Sequence, residues 1–596
     1  CPHNSSTKVP DGSRAGAGIG CHGMAIWMPE RRTQTMTHMG AEGVTWVGQS
    51  PFTEEEHIFQ NLGDGTYYHS GLMAIRAAVA SGVNITYKIL YNDAVAMTGG
   101  QPHDGTLTVW DISLQVHAEG AKRVVVVTDE PDKYPSGLHW APGLTIHHRD
   151  ELDKVQRELR ATPGLTVLIY DQTCAAEKRR RRKRGTFPDP AKRVFINEEV
   201  CEGCGDCSTQ SNCVSVKPLD TDLGRKRRID QSDCNKDFSC LKGFCPSFVT
   251  IEGGGVRKGR KPNLKLVGAD ADPFADLPMP KLRDLTEPYG ILITGIGGTG
   301  VITVGALIGM AAHLEGKGAT ALDFTGLAQK NGAVMSHVRL APKPEDLYSV
   351  RISAGGSNLV LGCDMVVAAS PNAIATMEQG VTRAVLNSAL QPTAAFVTDN
   401  DMDLGEKETV DRLVEALGDD HAEFISATNL ATAIMGDSIA ANLFLLGFAW
   451  QKGLVPLSFD ALDEAIAINN VAVAMNRQSF AWGRLAAHDM AAVEKAAAPR
   501  IAAPARRELT LEETIADRVE RLTAYQNATY ADRYRQFVDK AIQAEKSKAS
   551  GRDGLGLAVA RSLYKLMAYK DEYEVARLYT DPAFKAKINR QFQGDF

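Results

Sequence analysis

The sequence predicts a multidomain α/β protein that carries a cysteine-rich insert and ends in a helical C-terminal domain. The chain has 596 residues, too many for one hydrophobic core, which favours three or four domains. Two regions alternate apolar strand-like runs with helix-like stretches, a pattern typical of mostly parallel sheets. Between these regions, seven of the 11 cysteines lie within residues 201–245.

The first α/β domain is predicted over residues 1–176. Its candidate strands cover residues 84–90, 123–128 and 165–170, and a helix is predicted over residues 70–81. A basic run follows from Lys178 to Arg184. Because an unbroken run of like charges repels itself and stays solvated, we interpret this run as a linker.

The cysteine-rich segment is predicted to be a ferredoxin-like iron–sulfur domain over residues 190–253. Three of its cysteines repeat the C-x-x-C spacing and a distant fourth precedes a proline, the arrangement that presents thiolates to a cubane cluster. By the pairing rule of two-cluster ferredoxins, one [4Fe–4S] site is expected from these four. They are Cys201, Cys204, Cys207 and Cys245.

Three cysteines of the segment remain, one short of a second cubane site: Cys213, Cys234 and Cys240. They could hold a three-iron cluster, or a four-iron cluster completed by Asp233 or hydroxide, or be relics without a cluster. A zinc site is a further alternative for the whole segment, since C-x-x-C pairs also bind zinc.

A second, Rossmann-like α/β domain is predicted over residues 285–490. A strand there leads into the glycine turn Gly295–Gly300 and an apolar helix, where backbone N–H groups could receive a phosphate. Asp323 ends the next predicted strand, about where a dinucleotide fold places its ribose-binding acid. NAD binding is one hypothesis, and close strand–helix packing is the other. The helical C-terminal domain is predicted over residues 505–596.

The bulk composition excludes several classes of protein. The net charge is −6, so no overall attraction to nucleic acid or to a membrane surface is expected. No apolar window is long enough for a transmembrane helix, and no signal peptide is visible. We therefore expect cytosolic thiols and a cytoplasmic protein. The chain starts at Cys1 without a Met, which suggests that an N-terminal part of a longer protein is missing.

A glycine–aspartate–glycine turn predicts a metal–diphosphate site. Asp64 lies between Gly63 and Gly65 after one predicted strand, and Asn92 follows the next strand. Neighbouring parallel strands end at the same sheet edge, so the Asp64 and Asn92 oxygens could share one Mg²⁺ with a diphosphate. A turn and an unrelated Asn is the alternative, but the spacing is that of a thiamine diphosphate signature.

Taken together, these segments resemble the 2-oxoacid:ferredoxin oxidoreductases, most closely the fused long-chain indolepyruvate type. The resemblance covers essentially the whole chain. Besides the cysteines, it is carried by CPH at residue 1, GIGC at residue 18, GDGTYYHSG, NITYKILYNDAVAMTGGQP, TGIGGTGV and GLAQKNGAVMSHVRL. It implies that the first domain is the diphosphate-binding half of a thiamine site, and that the pyrimidine-binding half lies upstream.

The resemblance also implies roles for individual residues. Asp64, Asn92 and a main-chain carbonyl near Ala94 would bind Mg²⁺. Cys21 would approach the cofactor ring, unless it is only a small buried apolar residue. The histidines His3, His22 and His69 belong to no triad, and no catalytic residue is assigned. The implied diphosphate-binding residues are Gly63, Gly65, Thr98 and Gly99, and the candidates for contact with cofactor, substrate or coenzyme A are Gln329, Lys330 and Asn331.

The implied activity is oxidative decarboxylation of a 2-oxo acid, such as indolepyruvate, to an acyl-coenzyme A. Electrons would leave through the cysteine segment to ferredoxin, and a homo-oligomer is expected. Two other hypotheses stay open: a non-catalytic electron-transfer module, and an NAD-linked oxidoreductase that uses the glycine turn.

Overall fold

The computed structural model describes residues 1–96, 100–103, 105, 107–257, 274, 276–297, 299–325, 332–390, 399, 401–498, 509–549 and 551–594. Two α/β sheets, a cysteine-rich insert and a helical C-terminal domain follow one another along these residues. The predicted α/β multidomain fold class is confirmed.

A parallel sheet of seven strands forms the first α/β domain, in the order β2-β1-β3-β4-β7-β5-β6. The central strands are buried on both faces, which explains their continuous apolar runs. The strands are β1 Ala15–Ala17, β2 Thr33–Met36, β3 Ile58–Gly63, β4 Ile85–Tyr91, β5 Arg123–Thr128, β6 Thr145–His148 and β7 Leu165–Asp171.

Helices cover both faces of this sheet. They are α1 His3–Ser6, α2 Val44–Gln49, α3 Asp64–Thr66, α4 Leu72–Ser81, α5 Val109–Ala118, α6 Leu152–Arg160 and α7 Ala175–Lys183. A π-helical turn, Tyr67–Gly71, joins α3 to α4. The helix predicted over residues 70–81 therefore belongs to a longer helical segment that begins directly after β3. Such π turns occur frequently at functional sites.

The basic run is helical, so its interpretation as a linker is wrong. Helix α7 contains most of it, and acidic groups neutralise the repulsion between its cations. Lys178 pairs with Asp129 at 2.7 Å, and Lys183 pairs with Asp437 at 2.7 Å. Asp129 and Asp437 come from the two α/β domains, so α7 connects them.

The cysteine-rich insert is built on two antiparallel strand pairs. Strands β9 and β10 form a hairpin, while β8 pairs with β11 and brings the two ends of the insert together. The elements are β8 Lys192–Ile196, α8 Asp206–Ser211, β9 Val216–Thr221, β10 Gly224–Ile229, β11 Phe248–Glu252 and β12 Gly255–Val256.

A mixed sheet of six strands forms the second α/β domain, in the order β14-β15-β13-β16-β17-β18. Strand β15 is antiparallel to both of its neighbours, and the other pairings are parallel. The strands are β13 Tyr289–Ile296, β14 Gly318–Thr325, β15 Ala333–Ala341, β16 Leu359–Gly362, β17 Arg383–Asn387 and β18 Ala422–Ile425.

Helices pack on this sheet around α14, whose residues from Ala441 to Trp450 are all buried. The helices are α9 Val301–Leu314, α10 Met365–Ala368, α11 Pro371–Ile374, α12 Glu406–Leu417, α13 Ala427–Met435, α14 Ala441–Gln451, α15 Phe459–Asn469, α16 Val473–His488 and α17 Met490–Ala497.

The C-terminal part of the chain is helical, as predicted, apart from one short strand. Its elements are α18 Leu511–Tyr525, α19 Ala528–Lys548, α20 Leu555–Met567, α21 Glu572–Thr580, α22 Pro582–Gln591 and β19 Phe592–Gln593. Strand β19 pairs with β12 of the insert. None of the helices within the described residues is long and apolar enough to cross a membrane.

Candidate functional site

The structure brings Asp64 and Asn92 together at the carboxyl edge of the first sheet. Strands β3 and β4 are parallel neighbours, and these residues directly follow them. One carboxylate oxygen, Asp64 Oδ2, accepts hydrogen bonds from the backbone N–H groups of Asn92 at 2.7 Å and Asp93 at 3.0 Å. The other, Oδ1, accepts from the Gly65 N–H at 2.8 Å. The carboxylate is therefore held rigidly by the backbone.

The side-chain oxygen of Asn92 is suited to binding a cation. Its Oδ1 atom is buried and has no hydrogen-bond partner among the described residues. Leaving such an acceptor unsatisfied costs about 1–3 kcal/mol, which a bound cation would recover. Asp64 is buried beside it, and Ala94 is buried two residues further along the chain. These oxygen donors suit Mg²⁺.

His22 packs behind the glycine–aspartate–glycine turn. A Cβ on Gly63 would lie 3.1 Å from His22 Cε1, and one on Gly18 would lie 2.7 Å from His22 Nε2. Burial lowers the His22 pKa to about 4, so the ring is neutral near pH 7. The His3 ring lies 5.5 Å from it, centroid to centroid. Sequence reasoning missed this packing, although the glycines around residue 22 were a signal of close approach.

The structure also describes the sequence candidates Cys21 and His69. Cys21 begins the short helical turn that contains His22 and is half-buried. His69 is exposed and hydrogen-bonds the Ser70 hydroxyl at 2.9 Å. Cys174 is half-buried, and its backbone N–H donates to the Asn92 carbonyl at 2.9 Å.

A cavity of about 360 Å³ adjoins this edge of the sheet. His103 Nε2 lies 3.5 Å from Asp64 Oδ1, so the cavity reaches the Asp64 carboxylate. Arg181 Nη1 donates to Asp93 Oδ2 at 2.6 Å. Helix α7 thus contributes to the wall, which the linker interpretation had excluded. The lining residues are Tyr91, Asp93, Gly100, Pro102, His103, Gly105, Leu107, Thr108, Glu177, Arg181 and Arg184.

The thiols of the insert lie in two neighbouring groups. Burial raises the pKa of Cys207 to about 12, and the nearby thiols of Cys201, Cys245 and Cys204 add to the effect. These four are hereafter the quartet. Burial likewise raises the pKa of Cys240, with Cys213 and Cys234 close by; these three are the trio. Cys207 also acts on Cys240, so the two groups adjoin.

The trio faces the first α/β domain. Next to Cys234, the Asn235 carbonyl accepts from Arg182 Nη1 of α7 at 2.7 Å. Asp237 accepts from Arg149 Nη1 at 2.6 Å. Asp233, the proposed outside ligand, is paired with Lys217 at 2.9 Å and with Arg179 at 3.6 Å, so it would have to give up these partners to bind iron.

No three His, Cys, Asp or Glu side chains within the described residues are placed to hold a single metal ion. This finding concerns single ions held by those four types of side chain, and it does not concern Asn oxygens, backbone carbonyls or clusters of several iron atoms. The predicted residues Thr98, Gly99, Gln329, Lys330 and Asn331 are not among the described residues.

The second α/β domain contains the predicted strand, glycine turn and helix as β13 and α9. Asp323 lies on β14, however, and the antiparallel β15 separates β14 from β13. A dinucleotide fold places its ribose-binding acid on the parallel strand next to the first. A Cβ on Gly295 would lie 2.5 Å from Val301 Cγ2, which fits the close-packing alternative. The position of Asp323 on β14, which is not next to β13, therefore disfavours the NAD hypothesis.

Three family models match the chain. Residues 18–169 match "Thiamine pyrophosphate enzyme, C-terminal TPP binding domain". Residues 290–486 match "Pyruvate ferredoxin/flavodoxin oxidoreductase". Residues 511–596 match a family of unknown function, DUF6537.

Two curated proteins of Thermococcus kodakarensis are similar to different parts of the chain. Indolepyruvate oxidoreductase subunit IorA is 27% identical over 274 residues, which are 41% of this chain and 38% of IorA. Subunit IorB is 27% identical over 208 residues, which are 34% of this chain and 98% of IorB. The chain therefore spans less than half the length of the IorA relative but nearly all of IorB.

Solved structures also resemble part of the chain. The gamma subunit of a keto/oxoacid ferredoxin oxidoreductase from Geobacter sulfurreducens is 22% identical, with a TM-score of 0.24, over 34% of this chain and 98% of its own. A 2-oxoglutarate:ferredoxin oxidoreductase from Magnetococcus marinus is 18% identical, with a TM-score of 0.27, over 34% of this chain and 31% of its own.

Proposed function

Because the chain belongs to the 2-oxoacid:ferredoxin oxidoreductase family, we propose that it takes part in the oxidative decarboxylation of a 2-oxo acid. It contributes the diphosphate-binding half of a thiamine diphosphate site, an iron–sulfur path for electrons and a gamma-type domain. The product is an acyl-coenzyme A, and the electrons pass to ferredoxin. The names of the relatives favour an aryl pyruvate such as indolepyruvate as the substrate.

One combination carries this proposal. The buried, unpartnered Asn92 oxygen lies beside the Asp64 carboxylate in the same chain as seven clustered thiols. A simple thiamine decarboxylase needs no such thiols, and a simple ferredoxin needs no strand-end metal site. Only a decarboxylation that also releases electrons requires both.

The residues at the sheet edge bind and orient the cofactor. Asp64, Asn92 and the Ala94 carbonyl would hold Mg²⁺, and the turn of Gly63 and Gly65 would border the diphosphate. Thiamine diphosphate supplies the electron sink that allows a 2-oxo acid to lose carbon dioxide. In the chain itself, the neutral ring of buried His22 supports the Gly63 turn and keeps a second positive charge away from Mg²⁺.

The insert gives the electron path a direction. Asn235 and Asp237, which follow Cys234, accept hydrogen bonds from Arg182 of α7 and from Arg149 of the first α/β domain. The quartet adjoins the trio through Cys207 and Cys240. Clusters held by the trio and the quartet would carry electrons from the sheet edge by way of the trio to the quartet, where Cys204 is exposed to an external carrier. This order requires a cluster at the trio as well as a [4Fe–4S] cluster at the quartet.

An anaerobic reduction assay tests the proposed function. The protein, together with a chain or segment that supplies the pyrimidine-binding half, is reconstituted with iron, sulfide, thiamine diphosphate and Mg²⁺. Methyl viologen reduction is followed with indolepyruvate, phenylpyruvate, pyruvate and 2-oxoglutarate, with and without coenzyme A. We expect reduction that depends on coenzyme A and is fastest with an aryl pyruvate.

Paired variants connect the assay to the site. Asp64→Asn should lower viologen reduction at least 100-fold, because it removes a charged ligand of Mg²⁺. Asp171→Asn is the control, since Asp171 ends β7 on the same edge but is bonded to Tyr134 and Lys133. Clusters without any substrate-dependent reduction would instead favour an electron-transfer module, and equal loss in both variants would contradict the assigned role of Asp64.

A further inference from the structure

The helical C-terminal domain binds the backbone on both sides of the quartet. Cys207 and Cys245 lie far apart along the insert, so the quartet has to be closed by two distant segments. One segment carries Val200 and Cys201, and the other carries Cys245 and Pro246. Contacts from α18, from α21 and from Lys570, which precedes α21, reach both segments.

The Cys245 segment is bound by α21. The Tyr579 hydroxyl donates to the Pro246 carbonyl, the residue directly after the thiol. The phenol of α21 therefore lies directly beside the quartet.

The Cys201 segment is bound by Lys570, which precedes α21. Its Nζ donates to the Val200 carbonyl at 3.4 Å and also pairs with Glu202. Arg521 of α18 pairs with Glu199 at 2.9 Å. The helical domain thus contacts Glu199 and Val200 before Cys201 and Glu202 after it.

Asn197 joins the two segments to the helical domain. Its backbone N–H donates to the Ser247 carbonyl at 2.8 Å, and its carbonyl accepts from the Cys201 N–H at 2.9 Å. The Asn197 side-chain amide donates to the Leu578 carbonyl of α21 at 3.4 Å. This residue is fully buried, so a loss of the α21 contact would leave a buried polar group unsatisfied.

We propose that the helical domain, which matches a family of unknown function, serves to hold the two thiol-bearing segments of the quartet together and to shield them. The contacts of Tyr579, Lys570 and Asn197 join residues of the chain itself. The helical domain can therefore hold the two segments together without a bound cluster. The benefit for cluster retention rests on the proposed function of the quartet.

Thiol alkylation of the apoprotein tests the holding function without iron. Reduced, metal-free protein is treated with iodoacetamide, and the rates at single cysteines are followed by mass spectrometry. In the double variant Tyr579→Phe with Lys570→Met, we expect Cys201 and Cys245 to react about fivefold faster. Fivefold corresponds to about 1 kcal/mol, the ordinary contribution of a hydrogen bond.

Two controls make the result specific. Tyr573→Phe changes a tyrosine of the same helix that is 79% exposed, and it should leave both rates unchanged. Cys363, which is half-buried in the second α/β domain, should react at the same rate in every variant. Rates at Cys201 and Cys245 that change less than twofold, or a matching acceleration at Cys363, would overturn the proposal. Tyr579→Phe alone, the milder change, should give a smaller acceleration at Cys245.

Cluster retention is the second measurement and separates the two proposals. After reconstitution, the iron–sulfur absorbance of the double variant should decay about fivefold faster in air than that of the unchanged protein. Failure of both proteins to take up iron, together with the expected alkylation rates, would reject the proposed function but not the holding function. Equal decay rates in both proteins would reject the shielding of the quartet.

Discussion

At the scale of single residues, the glycine–aspartate–glycine turn packs against a histidine that stays uncharged near pH 7. His22 is 3% exposed and packs against the backbone of Gly18 and Gly63. Its Nε2 atom has no hydrogen-bond partner among the described residues. Protonation would place an uncompensated charge in this apolar position, which is why burial lowers its pKa to about 4.

This shift predicts a pH dependence of stability. Because the pKa of His22 is lowered on folding, the unfolded chain binds the proton first as the pH falls below about 6.5. His22 therefore costs stability progressively from pH 6.5 down to pH 4, amounting to about 2 kcal/mol at pH 5. Compared with the unchanged protein, His22→Gln should lose less stability between pH 7 and pH 5 in calorimetry.

His69→Gln is the matched control, since His69 is exposed. It should show the same pH slope as the unchanged protein. Parallel slopes for all three proteins would mean that His22 does not stay neutral in the folded state.

At the scale of elements, α7 shows how an unusually charged helix can be stable. Its cations have partners in the first sheet, in the insert and in the second α/β domain. The partners differ in burial. The Lys178–Asp129 pair is 12% and 13% exposed, while the Lys183–Asp437 pair is 46% and 26% exposed. Burial decides how much each pair contributes, since water screens an exposed pair.

The two lysines therefore give different predictions for the same substitution. Lys178→Met leaves the Asp129 carboxylate buried without its cation and should destabilise the protein by about 3 kcal/mol. Lys183→Met should cost less than about 1 kcal/mol. Urea unfolding measures both, and equal losses for the two variants would contradict the role assigned to burial.

At the scale of the whole molecule, Arg518 connects the helical domain to the insert. It is 1% exposed and donates to Asp222 Oδ2 at 2.8 Å and to the Asp222 carbonyl at 3.0 Å. Its guanidinium also lies 5.0 Å from the centre of the Tyr564 ring. A planar group with several donors is needed to make all three contacts.

Arg518→Lys should consequently weaken the attachment of the helical domain, by about 2 kcal/mol, although the charge is kept. Calorimetry should show a separate unfolding transition for this domain at a lower temperature than that of the rest of the protein. Arg521→Lys is the control, because the Arg521–Glu199 pair is 30% and 40% exposed and should change the transition little. A single unchanged transition in Arg518→Lys would refute this role.

The sequence by itself determined the features that depend on local spacing. The positions of Asp64 and Asn92 follow from two apolar runs, because parallel neighbours end at one edge. The division of the cysteines into four and three follows from C-x-x-C spacing and stays a prediction, while the structure shows that cysteines of both sets lie in one cluster. The helical character of the C-terminal residues is likewise a property of short segments.

Only the tertiary structure decided which distant groups meet. Arg182 donates to the Asn235 carbonyl, which is 53 positions away, and Lys183 pairs with Asp437, which is 254 positions away. Local charge patterning cannot show such partners, so it wrongly predicted a linker where α7 forms. The prediction that Asp323 lies on the strand next to β13 is wrong, because strand order in a sheet is set by packing and not by order along the chain. The position of His22 behind Gly63 and the contact between Arg149 and Asp237 of the insert depend on long-range contacts of the same kind, since burial and pairing are properties of the folded chain.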